Sequence, residues 1–142
     1  MDNNFANYQI AIPSIYQDKI KKYCTTGSGS DTDPFNSPFK RQVDFWFVAM
    51  CIAFREGYEK ASSKDTYNAT VAGILSNEPY RIHLMYLIAL SDTGDESVLS
   101  DTKRVFDICC EYANAGIPYL INILDDQDQK PIWNIYDYLE EL

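Results

Sequence analysis

The sequence predicts a single all-α domain, residues 1–142, of about six or seven helices packed irregularly around one buried central helix at about 38–56. Three observations lead there. Apolar residues recur at i, i+3 or i+4 and i+7 along most of the 142 residues. The connections between these periodic segments are short, and no convincing series of alternating strands appears. No internal repeat at a solenoid period is present.

In chain order, Tyr8-Gln9-Ile10-Ala11-Ile12 alternates briefly, as a small strand or an ordered arm would. Ser14 and Gln17 form an S-x-x-Q pair suited to a capping box. They precede Tyr16, Ile20 and Tyr23 in a helix expected over 15–25. Residues 26–37 are rich in Gly, Ser, Thr, Asp and Pro and read as a flexible loop. Ser37-Pro38 opens the central helix, since proline tolerates the first helical position, and Gly57 ends it. The middle of that helix, Phe45 to Phe54, is apolar on every side and so belongs inside. Asp65 is expected to cap a third helix carrying Tyr67, Val71, Ile74 and Leu75 on one face. Asn77 ends it and caps a fourth, with Pro79 in the first turn and an apolar run from Tyr80 to Leu90. A fifth is expected from Asp101 to Asn114, ended by Gly116. Pro118 opens a sixth to Leu124 and Pro131 opens a last one, with Ile132, Ile135, Tyr136 and Leu139 facing the core.

The net charge of −9 is placed unevenly. Residues 1–71 hold 8 acids and 8 bases; residues 72–142 hold 13 acids and 4 bases, Arg81, Lys103, Arg104 and Lys130. Such a half repels phosphate backbones, so direct nucleic-acid binding is not expected. It permits docking on a basic partner, mimicry of nucleic-acid charge, or simply solubility. The N-terminus carries no secretory signal, and the ten-residue apolar run from Phe45 to Phe54 is short of the ~18–20 residues a membrane span needs. Reduced thiols in a cytoplasmic protein are therefore expected.

No arrangement of residues carries catalytic or metal chemistry. Cys24, Cys51, Cys109, Cys110 and His83 offer no C-x₂₋₄-C pair, so no zinc or other metal is expected. His83, between Ile82 and Leu84, reads as a partly buried, hydrogen-bonded residue with no nominated nucleophile beside it. Asp125-Asp126-Gln127-Asp128 fails the calcium-loop pattern, which would put Pro131 at the glycine position and Asp137 at the glutamate position. Gly27-Ser28-Gly29-Ser30 lacks the lysine of a phosphate loop. Asn68-Ala69-Thr70 fits a glycosylation sequon that a cytoplasmic chain would not use. Asp44 sits one turn into the central helix, where the dipole favours a carboxylate and Arg41 offers an i, i+3 ion pair. No enzyme and no cofactor are expected.

The stretch Asp33-Pro34-Phe35-Asn36-Ser37-Pro38-Phe39-Lys40-Arg41-Gln42-Val43-Asp44-Phe45-Trp46-Phe47-Val48-Ala49, continuing to Gly57, combines Pro-Phe, a following Asp and an aromatic-aliphatic helix ending in Gly. With Ile74-Leu75-Ser76 and Ala113-Asn114-Ala115-Gly116-Ile117-Pro118-Tyr119-Leu120, it resembles small accessory proteins of bacterial phage-defence systems, of the type associated with DNA phosphorothioation (Dnd). The resemblance runs from residue 33 to about 124. It implies a prokaryotic, non-catalytic accessory that works with a larger defence ATPase or nuclease, and it transfers no site residue.

Taken together, these readings point to an interaction protein, with an acidic nucleic-acid-mimic inhibitor as the alternative and a small enzyme least favoured. Mimicry would need the acids of the second half in a regular stripe. A partner is expected to dock on the terminal helix, where Trp133 and Tyr138 lie beside Asp137, Glu140 and Glu141. Aromatic anchors with a charged rim are the usual make-up of binding hot spots. The competing role for Trp133 is packing into the Pro131 turn as core.

Overall fold

The computed structural model describes residues 5–26 and 33–142. Five α-helices dominate: α1 (Gln17–Lys22), α2 (Gln42–Glu56), α3 (Pro79–Thr93), α4 (Thr102–Leu124) and α5 (Pro131–Glu140). Three 3-10 segments, Ser14–Tyr16, Ala72–Asn77 and Glu96–Ser100, link them. A two-stranded antiparallel sheet, β1 (Gln9–Pro13) and β2 (Thr66–Val71), makes the fold mostly helical rather than all-α.

The sheet replaces the helix expected after Asp65. Thr66, Tyr67, Thr70 and Val71 are β-branched or aromatic and favour extended backbone. The spacing of Tyr67, Val71 and Ile74 imitates a helical face by coincidence. In the fold, Gln9 pairs with Val71 and Ile10 with Thr70; the register then slips past Ala69, so that Ala11 meets Asn68 and Ile12 meets Tyr67. Alternation along β1 sends Ile10 and Ile12 fully into the core.

The central helix is α2, as expected, but it begins at Gln42 rather than near Pro38. Residues 38–40 stay extended because they pair with the end of α1. Phe39 N–H donates to Tyr23 O (3.1 Å), and Thr25 N–H donates to Phe39 O (2.8 Å). Ser37 opens no helix. It is buried, and its hydroxyl donates to Lys22 O (2.8 Å). Ser14 and Gln17 form no capping box; the Ser14 N–H donates to Asp65 O (2.9 Å) and extends the sheet. The loop expected over 26–37 falls partly outside the described residues, and its described end is a turn in which Asp33 accepts from Phe35 N–H (2.9 Å).

Gly57 closes α2 with φ 74°, and Gly94 closes α3 with φ 63°; both conformations favour glycine. Asn77 caps neither neighbouring segment, and α3 starts at Pro79 with Glu78 at its N-cap. The most consequential difference lies in α4, one 23-residue helix where two were expected. Its buried stripe, Val105, Cys109, Ala113, Ile117, Leu120 and Leu124, keeps helical phase straight through Pro118. Continuing the burial outweighs the hydrogen bond that proline removes. Gly116 terminates nothing. It lies buried against α2, where a Cβ would fall 1.8 Å from the carbonyl oxygen of Ala49.

Trp46, Phe45, Ala49 and Met50 of α2 are fully buried, with Phe47 and Ile52 nearly so. The Phe47 ring meets Tyr80 edge-on at 6.3 Å, and the Arg81 guanidinium lies over it at 5.0 Å. Replacing Phe47 or Ile52 by Ala should lower stability by about 2–5 kcal/mol, read by chemical denaturation.

The start of α2 is fixed to α3 by charge. Arg41 holds the Asp44 carboxylate with Nε (3.2 Å) and Nη2 (3.1 Å), Arg81 Nη2 reaches the same carboxylate at 2.9 Å, and Glu78 lies 3.4 Å from Arg41. Burial alone would push the Asp44 carboxyl up. The hydrogen bonds and charges of Arg41 and Arg81 outweigh it and hold the group below its ordinary range.

Candidate functional site

The terminal helix α5 is positioned from both ends. Pro131 supplies the first helical residue, and Ile132 N–H donates to Phe35 O (3.0 Å). Asn134, buried on the inner side, donates from Nδ2 to Leu124 O (3.3 Å) and Asp126 O (3.0 Å), satisfying carbonyls at the end of α4. Four residues on, the Tyr138 hydroxyl donates to Glu56 Oε1 of α2 (2.9 Å). Burial and that carboxylate raise the Tyr138 phenol above its ordinary value.

The face packed against the domain is therefore Pro131, Asn134, Ile135 and Tyr138. The expected face, Ile132, Ile135, Tyr136 and Leu139, has the same spacing shifted by one residue, about 100° around the helix. Tyr136 and Leu139 consequently reach solvent, and Tyr138, expected at the docking surface, turns inward. Trp133 is 46% exposed, which excludes the core role weighed for it. Its indole meets the Tyr136 ring edge-on at 5.8 Å. Leu139 is 54% exposed.

Acids surround this aromatic surface. Asp137, Glu140 and Glu141 are exposed, with Asp126 and Asp128 in the preceding turn. Gln129 Nε2 donates to Asp137 (2.6 Å) and ties that turn to the helix. Phe35, half-exposed, lies at the start of α5 with the Lys130 ammonium 5.5 Å from its ring centre. The additions to the expected set, Tyr136, Leu139 and Phe35, were hidden in the sequence. Asn134, the polar residue in the first turns of α5, is the sequence feature that marks the rotation.

Several other acids of the second half are engaged within the chain. Asp92 takes Lys60 (2.7 Å) and the Tyr112 hydroxyl (2.7 Å), Asp107 takes Lys103, and Asp125 takes Lys19 (2.9 Å) and the Tyr23 hydroxyl. Asp95 and Asp101 accept backbone N–H groups at helix starts.

Elsewhere, a depression of about 190 Å³ lies between Thr26, Arg41, Gln42, Val43, Ala69, Thr70 and Ile74. It is smaller than the roughly 300–1,000 Å³ of small-molecule sites and is lined by no histidine, cysteine or carboxylate. His83, expected to be partly buried, is exposed on α3. The thiols are free, and burial pushes Cys24 up to about 12, Cys51 to about 11 and Cys110 to about 12, so they are neutral near pH 7. Among the described residues no group of three or more His, Cys, Asp or Glu could hold a metal ion, and no helix is long and apolar enough to cross a membrane.

Residues 29–141 match the family model described as DNA sulphur modification system-associated protein 4. No curated protein matches this chain, and no solved structure does.

Proposed function

This chain belongs to the family of DNA sulphur modification system-associated protein 4, and we propose that it is a non-catalytic accessory of a prokaryotic anti-phage system that docks through α5 on a larger ATPase or nuclease. Association with a DNA sulphur modification (Dnd) system follows from the family; the docking mode is our reading of the helix. The observation that carries it is the outward face of α5, where Trp133, Tyr136 and Leu139 lie exposed among Asp137, Glu140 and Glu141.

A partner with a basic rim around an apolar pocket fits this surface. The aromatics would be desolvated on binding, while the acids would steer approach and fix orientation. The placement of the acids favours docking over charge mimicry, because Asp92, Asp107 and Asp125 are engaged by lysines of the chain itself.

The test is capture from the native host followed by mass spectrometry. An ATPase or nuclease of the sulphur modification system should be recovered. Reversing Glu140 and Glu141 to Lys should slow its association roughly tenfold or more at low salt and reduce the salt dependence, with little change in melting temperature. Recovery of nucleic-acid-binding enzymes whose DNA sites become blocked would favour the mimic instead.

A further inference from the structure

We infer that Tyr58 and Tyr119 form a site of oxidative cross-linking: hydrogen peroxide activated by a haem peroxidase joins their phenol rings into dityrosine and staples the end of α2 to α4. The ring centres lie 3.8 Å apart, and the planes are 16° from parallel. Aromatic pairs ordinarily settle about 4.5–7 Å apart, offset or edge-on, because stacked π faces repel. The fold holds these two phenols closer and flatter than the rings themselves prefer.

Backbone contacts set the approach. Gly57, at φ 74°, turns the chain out of α2, and Tyr58 N–H donates to Ala53 O (2.9 Å). The segment that follows is pinned along α4. Ala61 N–H donates to Glu111 O (3.0 Å), and Asn114 Nδ2 donates to Ala61 O (3.2 Å). Tyr119 projects from the same helix and is 44% exposed, with Tyr58 half-buried against it. The pair is open to an oxidant in solution from the Tyr119 side.

Each phenol gives up one electron and one proton to become a phenoxyl radical, whose unpaired density reaches the ring carbons beside the C–O bond, Cε1 and Cε2. In a stack the π lobes of those carbons face one another, so coupling needs no diffusional encounter. A Cε–Cε bond forms, the hydrogen on each of those carbons moves to its own phenol oxygen, and aromaticity returns. The two electrons and two protons given up reduce one hydrogen peroxide to two waters.

Geometry also selects this pair from the eleven tyrosines of the chain. Among the described residues, Tyr8, Tyr80 and Tyr112 have phenylalanine rings as neighbours, which form no phenoxyl. Tyr23 is buried with its hydroxyl held by Asp125. Tyr136 meets the oxidisable Trp133, but at 79° and 5.8 Å, so their π lobes do not face. The bond from Tyr58 to Tyr119 closes a loop of about 60 residues and constrains the unfolded chain as a disulfide would. No residue of the proposed α5 surface takes part.

The test treats the full chain, dilute enough to suppress coupling between molecules, with a haem peroxidase and limiting hydrogen peroxide. The monomer should lose two hydrogen masses and gain dityrosine fluorescence, and peptide mapping should join residues 58 and 119. The linked chain should melt at least about 5 °C higher. Tyr58→Phe and Tyr119→Phe each keep a ring in the stack without its hydroxyl. Each should lower the dityrosine signal of the monomer at least about tenfold. If one variant folds poorly, the other reads the same bond. A monomer with no internal cross-link at any peroxide dose overturns the inference. So does dityrosine mapped to other residues or formed only between chains, a signal that both variants retain, or a linked chain that melts no higher.

Discussion

Gly116→Ala should lower the stability of the fold by at least about 3 kcal/mol. Adding a single methyl group there sets a carbon 1.8 Å from the carbonyl oxygen of Ala49, and the neighbouring carbonyl carbon lies only 2.7 Å away. Both are backbone atoms inside α2, so no side chain can rotate aside. Relief requires α2 and α4 to separate where Gly116 meets Ala49, which loosens a core whose Ala49, Ala113 and Ile117 are fully buried. Overpacking that forces backbone shifts costs about 1–3 kcal/mol and occasionally more. A direct clash with a helix backbone belongs at or above the upper end, against a total stability of about 5–15 kcal/mol for a domain. Alanine otherwise favours helix by up to about 1 kcal/mol relative to glycine, so a loss of stability here cannot come from propensity. Far-UV circular dichroism against denaturant reads the result.

The second large effect is expected at Asp44. Asp44→Asn leaves Arg41 and Arg81 facing a neutral amide, with the Arg81 side chain only 11% exposed. Breaking a largely buried ion pair from one side typically costs about 3–5 kcal/mol; Arg41 retains solvent and Glu78 nearby, so about 2–3 kcal/mol is expected. The pH dependence follows from the sign of the shift. The carboxyl is held below its ordinary 3.8 in the folded chain, so its contribution is fully present above that value. It is lost as pH falls through the lower, folded value. Asp92 and Asp125, held low by Lys60 and Lys19 among others despite their burial, act in the same direction. The native chain should lose stability steeply below about pH 4. Asp44→Asn should start lower and fall less steeply over the same interval.

Both sites show what local sequence signals can and cannot convey. Asp44 and its i, i+3 partner Arg41 were legible, because the pairing lies within one helical turn; Arg81, the second partner, is 37 residues away, and its approach depends on how α3 crosses α2. Gly116, two residues before Pro118, has the local signature of a helix end. Its role, close contact with Ala49, exists only between two elements distant in sequence. Tyr67 and Val71 have an i, i+4 spacing that a strand and a helix share, while Ile74 fits the helical period alone, and only pairing with β1 makes Thr66–Val71 a strand. Helix ends set by local chemistry, such as Gly57 after α2 and the prolines opening α3 and α5, were placed correctly. At the candidate site, the composition of α5 was plain, but its rotation was not. The choice between two faces one residue apart turned on Asn134 finding the carbonyls of Leu124 and Asp126.

The central claim is that the outward aromatics of α5 anchor a defence partner, and the affinity of Trp133→Ala for the captured ATPase or nuclease tests it most directly. Half-exposed in the chain alone, the indole contributes little to folding, so stability should change by less than about 1 kcal/mol. Binding should weaken by about 2 kcal/mol or more, a rise in Kd of about thirtyfold, when measured by calorimetry or surface plasmon resonance on the folded variant. A folded Trp133→Ala chain that binds the partner as tightly as the native one would contradict the account.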